Sequence, residues 1–138
     1  MRFLSILIML LAGSAPAFAR PVPVNPAISP RDPLPRRVFD CGGSTITRIT
    51  DRGGRRLGDP SLGSNVTFAN GGFLVGYRTA DAVAGSRVGD HVLICLVMIP
   101  DPDGCPPGDR RGRRYTVTNL RTLQSWTEPD SNHSCGGA

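Results

Sequence analysis

A chain of 138 residues has the length of one domain. Its 16 basic residues are all arginine and stand against 11 acidic ones, a formal charge of +5, which suits an anionic partner without identifying one.

The first 19 residues show the three parts of a secretory signal peptide: Arg2, the apolar run Phe3–Leu11 broken only by Ser5, and the small-residue site Ala17-Phe18-Ala19. The run is shorter than the roughly 20 residues a spanning helix needs, and no second apolar segment of that length follows it. The expectation is a chain that begins at Arg20, periplasmic or secreted, with no integral membrane segment. Loss of Arg2 leaves a charge of +5 − 1 = +4. Residues 20–37, "RPVPVNPAISPRDPLPRR", carry prolines at 21, 23, 26, 30, 33 and 35. Proline fixes φ and removes a donor, so this stretch reads as an extended tether. A single folded domain is expected over residues 38–138.

Within that domain the signals are those of strands and turns. Val38–Cys41 reads as a short first strand and Ser44–Asp51 as a second, rich in Thr and Ile. Asp51–Ser64 is a loop by its Gly, Pro and Asp content. "NVTFANGGFLVGYR" reads as a hairpin: Val66 and Phe68 alternate with polar or small residues, Asn70-Gly71-Gly72 turns the chain, and Phe73, Val75 and Tyr77 alternate back. Ala80–Ser86 allows one helical turn. His91–Ile99, "HVLICLVMI", reads as the central buried strand. Tyr115–Asn119 is a further strand, and the chain turns and returns through Trp126. The predicted fold class is all-β, a small antiparallel barrel or sandwich of six to seven strands, stapled by disulfides.

Four cysteines in a short exported chain imply two disulfides, and three pairings are open. The preferred one joins Cys95 to Cys105 across the proline-rich turn and Cys41 to Cys135 across the whole domain. On a chain-entropy model these would be worth roughly 2.8 and 4.7 kcal/mol. A four-cysteine zinc site lacks its paired C-x₂₋₄-C spacing.

Chemistry-bearing patterns are sparse. His91 and His133 have no partners at metal-ligand spacing, so no metal and no cofactor is expected. There is no G-x-S-x-G elbow. Glu128, the only glutamate, reads as an ordinary surface carboxylate. As half of a carbohydrate-cleaving pair it would need a second carboxylate across a cleft. "DPDG", Asp101–Gly104, is turn chemistry and lacks the longer ligand series of a calcium loop. The chain is not expected to be an enzyme.

Arginine is the residue type that stands out. Arg52, Arg55 and Arg56 share one Gly-rich loop, and Arg110, Arg111, Arg113 and Arg114 fall within five residues after "CPPGD". Guanidinium forks bind phosphate and carboxylate in bidentate fashion. Export argues against nucleic acid, and the aromatic interleaving that single strands require is missing, since Tyr115 stands alone beside the run. These seven arginines, with Tyr115 and Trp126 as aromatic anchors, are the candidate contacts for an anionic envelope polymer or another protein. The plain alternative is a solvated turn, and for Trp126 the preferred reading is a core position, since buried Trp commonly anchors small β cores.

The stretch from Val38 to Ala138, and most clearly "CPPGDRRGRRYTVTNLRTLQSWTEPDSNHSCGGA", resembles small exported proteobacterial proteins that bring no activity with them. "VFDCGG" and the late Cys135 are loosely similar to the ends of the periplasmic inhibitors of c-type lysozyme, small exported β-barrels with terminal cysteines. The inhibitory Ser-Gly-x-x-Tyr loop of that family is not matched by "SLGSNVTF", and its lysine has no counterpart. The resemblance implies a β-barrel fold and, as an alternative function, inhibition of a hydrolase such as lysozyme. The leading expectation is a non-enzymatic binding module; a small envelope hydrolase or a purely structural protein are further alternatives.

Overall fold

The computed structural model describes residues 34–137; the expected signal peptide (1–19) and residues 20–33 of the tether lie outside the described residues. Six strands form one antiparallel sheet: β1 (Cys41–Thr50), β2 (Ser64–Phe68), β3 (Phe73–Gly76), β4 (His91–Met98), β5 (Arg114–Asn119) and β6 (Ser125–Pro129). Their order across the sheet is β3-β2-β1-β4-β5-β6. One helical turn, α1 (Asp81–Ala84), links β3 to β4. The sheet curls into a half-barrel, and its two edge strands, β3 and β6, approach each other.

Strand periodicity explains what lies inside. In β4, Val92, Ile94 and Leu96 face inward and are buried, whereas Leu93, Cys95 and Val97 on the other face are half-buried. The apolar run is therefore a central strand with one fully covered face. Ile46 from β1, Val66 and Phe68 from β2, Leu74 from β3, Tyr115 and Val117 from β5 and Trp126 from β6 join it, with Val83 of α1 at one end. Each large side chain so buried contributes about 1.5–3 kcal/mol relative to exposure. The core also reaches into the stretch read as tether: Leu34 is buried in it, and the Tyr115 hydroxyl donates to the Pro35 carbonyl at 3.1 Å.

Two expectations require correction. Val38–Cys41 and Ser44–Asp51 are not separate strands. Cys41–Thr50 is one ten-residue strand, because Gly42 and Gly43, which lie between the two expected strands, pair with Ile94 and Leu93 of β4. A register shift between Ile46 and Arg48 then lets the same strand turn from β4 to β2. The disulfides are Cys41–Cys95 and Cys105–Cys135, not the preferred pairing. Cys41 and Cys95 stand directly opposite each other in the β1–β4 ladder, with Cα atoms 4.0 Å apart. Directly opposed residues project from the same face, so this pair is set by strand register rather than by distance along the chain. Cys105 is left to join the C-terminal loop through Cys135.

A buried polar knot closes the sheet where β4 begins. Asp90 accepts from Asn119 Nδ2 at 2.7 Å, from Arg87 N at 2.9 Å and from Arg121 Nε and Nη2 at 2.7 and 2.8 Å. The Arg121 guanidinium, with these other donors, holds the Asp90 carboxyl well below the usual carboxylate range.

Candidate functional site

Where the edges of β3 and β6 come together, the seam opens into a groove of about 520 Å³. Its walls are the end of β3 with Tyr77 and Arg78, the start of β5 at Arg114, β6 around Glu128, and the C-terminal loop 131–134. The Tyr77 hydroxyl donates to the Asn132 carbonyl, tying the β3 end to that loop. The Arg52 guanidinium lies 4.0 Å from the centre of the Tyr77 ring, a cation–π contact that brings the loop after β1 to the same place.

Glu128 forms part of the wall. It is only 5% exposed, which corrects its reading as a surface carboxylate. On a strand, residues two apart share a face; Trp126 is core, so Glu128 also points inward. Its Oε1 accepts from Ser64 Oγ of β2 at 3.3 Å, and Oε2 is buried with no hydrogen-bond partner. Burial pushes the carboxyl up to about 7, opposed only by the Ser64 hydrogen bond. Gly76 makes the space for it: a Cβ at that position would run into the Glu128 carboxyl and the Arg78 carbonyl.

The arginines singled out from the sequence separate. Arg55 is bound to buried Asp51 at 3.1 Å, and Arg111 to Asp109 at 2.8 Å. Both hold local turns, and both lower their partner's carboxyl. Arg113 is half-buried beside Tyr115 and Asp130, in a recess of about 180 Å³, and its Nε has no partner. Arg110 borders a different recess, of about 310 Å³, with Cys105, Pro106 and Pro107. Arg56 is exposed away from all of these. Of the seven, only Arg114 lines the groove, and Arg52 is connected to it only through its stacking on the Tyr77 ring. Tyr115 cannot serve as an anchor, because it is fully buried: its place in the β5 alternation directs it into the core. Trp126 is likewise core.

Arg78 was absent from the sequence-based set. It completes the rim, and only the arrival of the β3 edge beside β6 places it there. Among the described residues, Arg52, Arg78 and Arg114 form no ion pair with a carboxylate. Among the described residues, no carboxyl group other than Glu128 lines the groove, and no cluster of His, Cys, Asp or Glu is suited to a metal. His133 stands at the groove and His91 lies elsewhere, in contact with Thr45 Oγ1 at 3.2 Å. Compared with family models, with curated proteins and with solved structures, the chain matches none.

Proposed function

We propose that this protein is an exported, non-enzymatic binding module of the cell envelope, and that the groove between β3 and β6 is where it holds an anionic macromolecule or an acidic segment of a partner protein. The observation that carries this reading is the convergence on one groove of Arg78, just past the end of β3, and Arg114, at the start of β5, with Arg52 stacked on the Tyr77 ring of its wall, none of the three in an ion pair among the described residues. Guanidinium groups that are not engaged in ion pairs around a concave wall favour an incoming anion. The two disulfides fit an oxidising compartment. A hydrolase of the paired-carboxylate kind would need a second acid facing Glu128, and the groove lining supplies none.

The test is binding of the oxidised protein to polygalacturonate, with uncharged dextran as control, over a series of salt concentrations. Arg78→Ala/Arg114→Ala should weaken binding at least tenfold at low salt. It should also reduce the slope of log affinity against log salt by about 2, one per lost contact. Unchanged affinity and slope in the double variant would remove the groove from the binding site.

A further inference from the structure

We propose that the groove takes a carboxylate group of its ligand and binds it together with a proton carried by Glu128, so that guanidinium groups hold the ligand's charge from the rim while a neutral carboxylic acid donates a hydrogen bond from the wall. This rests on the reading of the groove as an anion-binding site and names its ligand chemistry.

Three features of the wall lead to it. The Glu128 side chain is buried at the groove, and Oε2 has no partner. An unsatisfied buried carboxyl oxygen costs about 1–3 kcal/mol, and a ligand atom that completes its hydrogen bonding recovers part of that cost. The carboxyl is also held in place. Ser64 Oγ fixes Oε1 from β2, and the space it occupies exists because Gly76 has no side chain. Finally, among the described residues no ion pair neutralises it. The groups facing the groove are Tyr77 and Arg78 at the end of β3, Arg114 of β5 and His133 of the C-terminal loop. Among the described residues the carboxyl has only the Ser64 hydroxyl as hydrogen-bond partner and forms no ion pair, and burial raises its proton affinity. The arginines thus border the groove without a hydrogen bond that would hold Glu128 ionised.

A buried acid in that state acts as a donor, and an ionised one would repel the ligand. An anion in the groove further disfavours the ionised form, so binding above neutral pH draws one proton from solvent onto Glu128. Carboxylate is the favoured ligand group because the shared proton then lies between oxygens of related basicity in a short O–H···O⁻ bond. A sulfate ester, a far weaker base, gains little from the same donor.

The experiment is calorimetric titration with trigalacturonate at pH 6 and pH 8, in buffers of different ionisation enthalpy, with a sulfated trisaccharide of equal charge beside it. The wild-type protein should bind trigalacturonate more tightly at pH 6, lose affinity by up to tenfold per unit above pH 7, and take up close to one proton per ligand at pH 8. Glu128→Gln, which keeps the shape and a neutral donor, should bind with little change between the two pH values and without that proton. His133→Gln should keep the wild-type pH dependence, which separates the carboxyl from the imidazole. The sulfated sugar should show weaker binding and less proton uptake. Carbon-13 titration of the free protein is a check that needs no variant: the Glu128 carboxyl should titrate near neutrality, and a midpoint in the ordinary carboxylate range would overturn the proposal. Binding that depends on Arg78 and Arg114 but is independent of pH would overturn the proton-coupled site and leave the anion-binding groove standing. No binding of either probe at pH 6 would overturn both. Proton uptake that survives Glu128→Gln and vanishes in His133→Gln would assign the effect to the imidazole and overturn the role of Glu128.

Discussion

Two buried carboxyl groups in this protein respond to burial in opposite ways. Asp90 is surrounded by four donated hydrogen bonds, two of them from the Arg121 guanidinium, and stays ionised. Glu128 has one hydroxyl partner, and burial pushes it up to about 7 from an ordinary 4.5. The difference lies both in the donors supplied to Asp90 and in the deeper burial of Glu128. It has a consequence for stability. The folded protein holds the Glu128 proton more tightly than the unfolded chain does, so this group's contribution is fully present below about pH 4.5. It is lost as pH rises to about 7. A shift of this size corresponds to about 3 kcal/mol across that window. Urea unfolding of Glu128→Gln should lose that component of the decline, and a wild-type curve identical to the variant's between pH 4.5 and 7 would show that the carboxyl is not held neutral. Asp90 acts in the reverse sense: its contribution is present above the ordinary carboxylate range and disappears as acid protonates it.

At the scale of elements, the site depends on two edge strands meeting. β3 is four residues long and ends in Gly76, and the approach of β6 at that point is close enough that the Glu128 carboxyl occupies the place of a side chain. Gly76→Ala therefore has to push the carboxyl, the Arg78 carbonyl or the strand itself aside. Overpacking of this kind costs typically 1–3 kcal/mol. Thermal unfolding should show the loss, and trigalacturonate binding should fall with it. Wild-type stability in this variant would mean that the seam is looser than the contact between β3 and β6 implies. The hairpin turn has its own need for glycine: Gly71 adopts φ 88°, a Cβ at Gly72 would run into the Leu34 side chain, and Asn70 Oδ1 accepts from Gly72 N at 3.1 Å, the local bonding for which Asn and Gly suit a turn.

At the scale of the whole molecule, the two disulfides do separate work. Cys41–Cys95 binds the two middle strands of the sheet, and Cys105–Cys135 pins the arginine-rich loop to the C-terminal loop that forms one wall of the groove. Sequence separations of 54 and 30 residues correspond to about 4 kcal/mol each on the chain-entropy model. Cys105→Ser/Cys135→Ser should lower stability by that order and also weaken groove binding. Cys41→Ser/Cys95→Ser should lower stability alike, yet leave the groove affinity of the folded fraction near wild type. Equal effects of the two variants on affinity, read by calorimetry well below the unfolding transition, would contradict this division.

The sequence by itself determined what local chemistry can determine. Alternation of apolar residues in Val66–Val75, His91–Ile99 and Tyr115–Asn119 marks strands because side chains on a strand change face at every residue. Asn70-Gly71-Gly72 marks a turn because these residues accept φ > 0 at low cost. The all-β class follows from such signals. Tertiary structure decided everything that requires knowing which strands are neighbours. Cys41 meets Cys95, and not Cys135, because of ladder register. Arg55 and Arg111 are engaged by neighbouring carboxylates, while Arg78 and Arg114 are brought to one groove by the curl of the sheet. Tyr115 is inward because of its parity on β5. Glu128 lay between the two cases: its spacing from Trp126 shows that it shares the core-facing side, a signal present in the sequence, but only the arrival of Gly76 from the opposite edge buries its carboxyl without charged partners and makes it part of a groove.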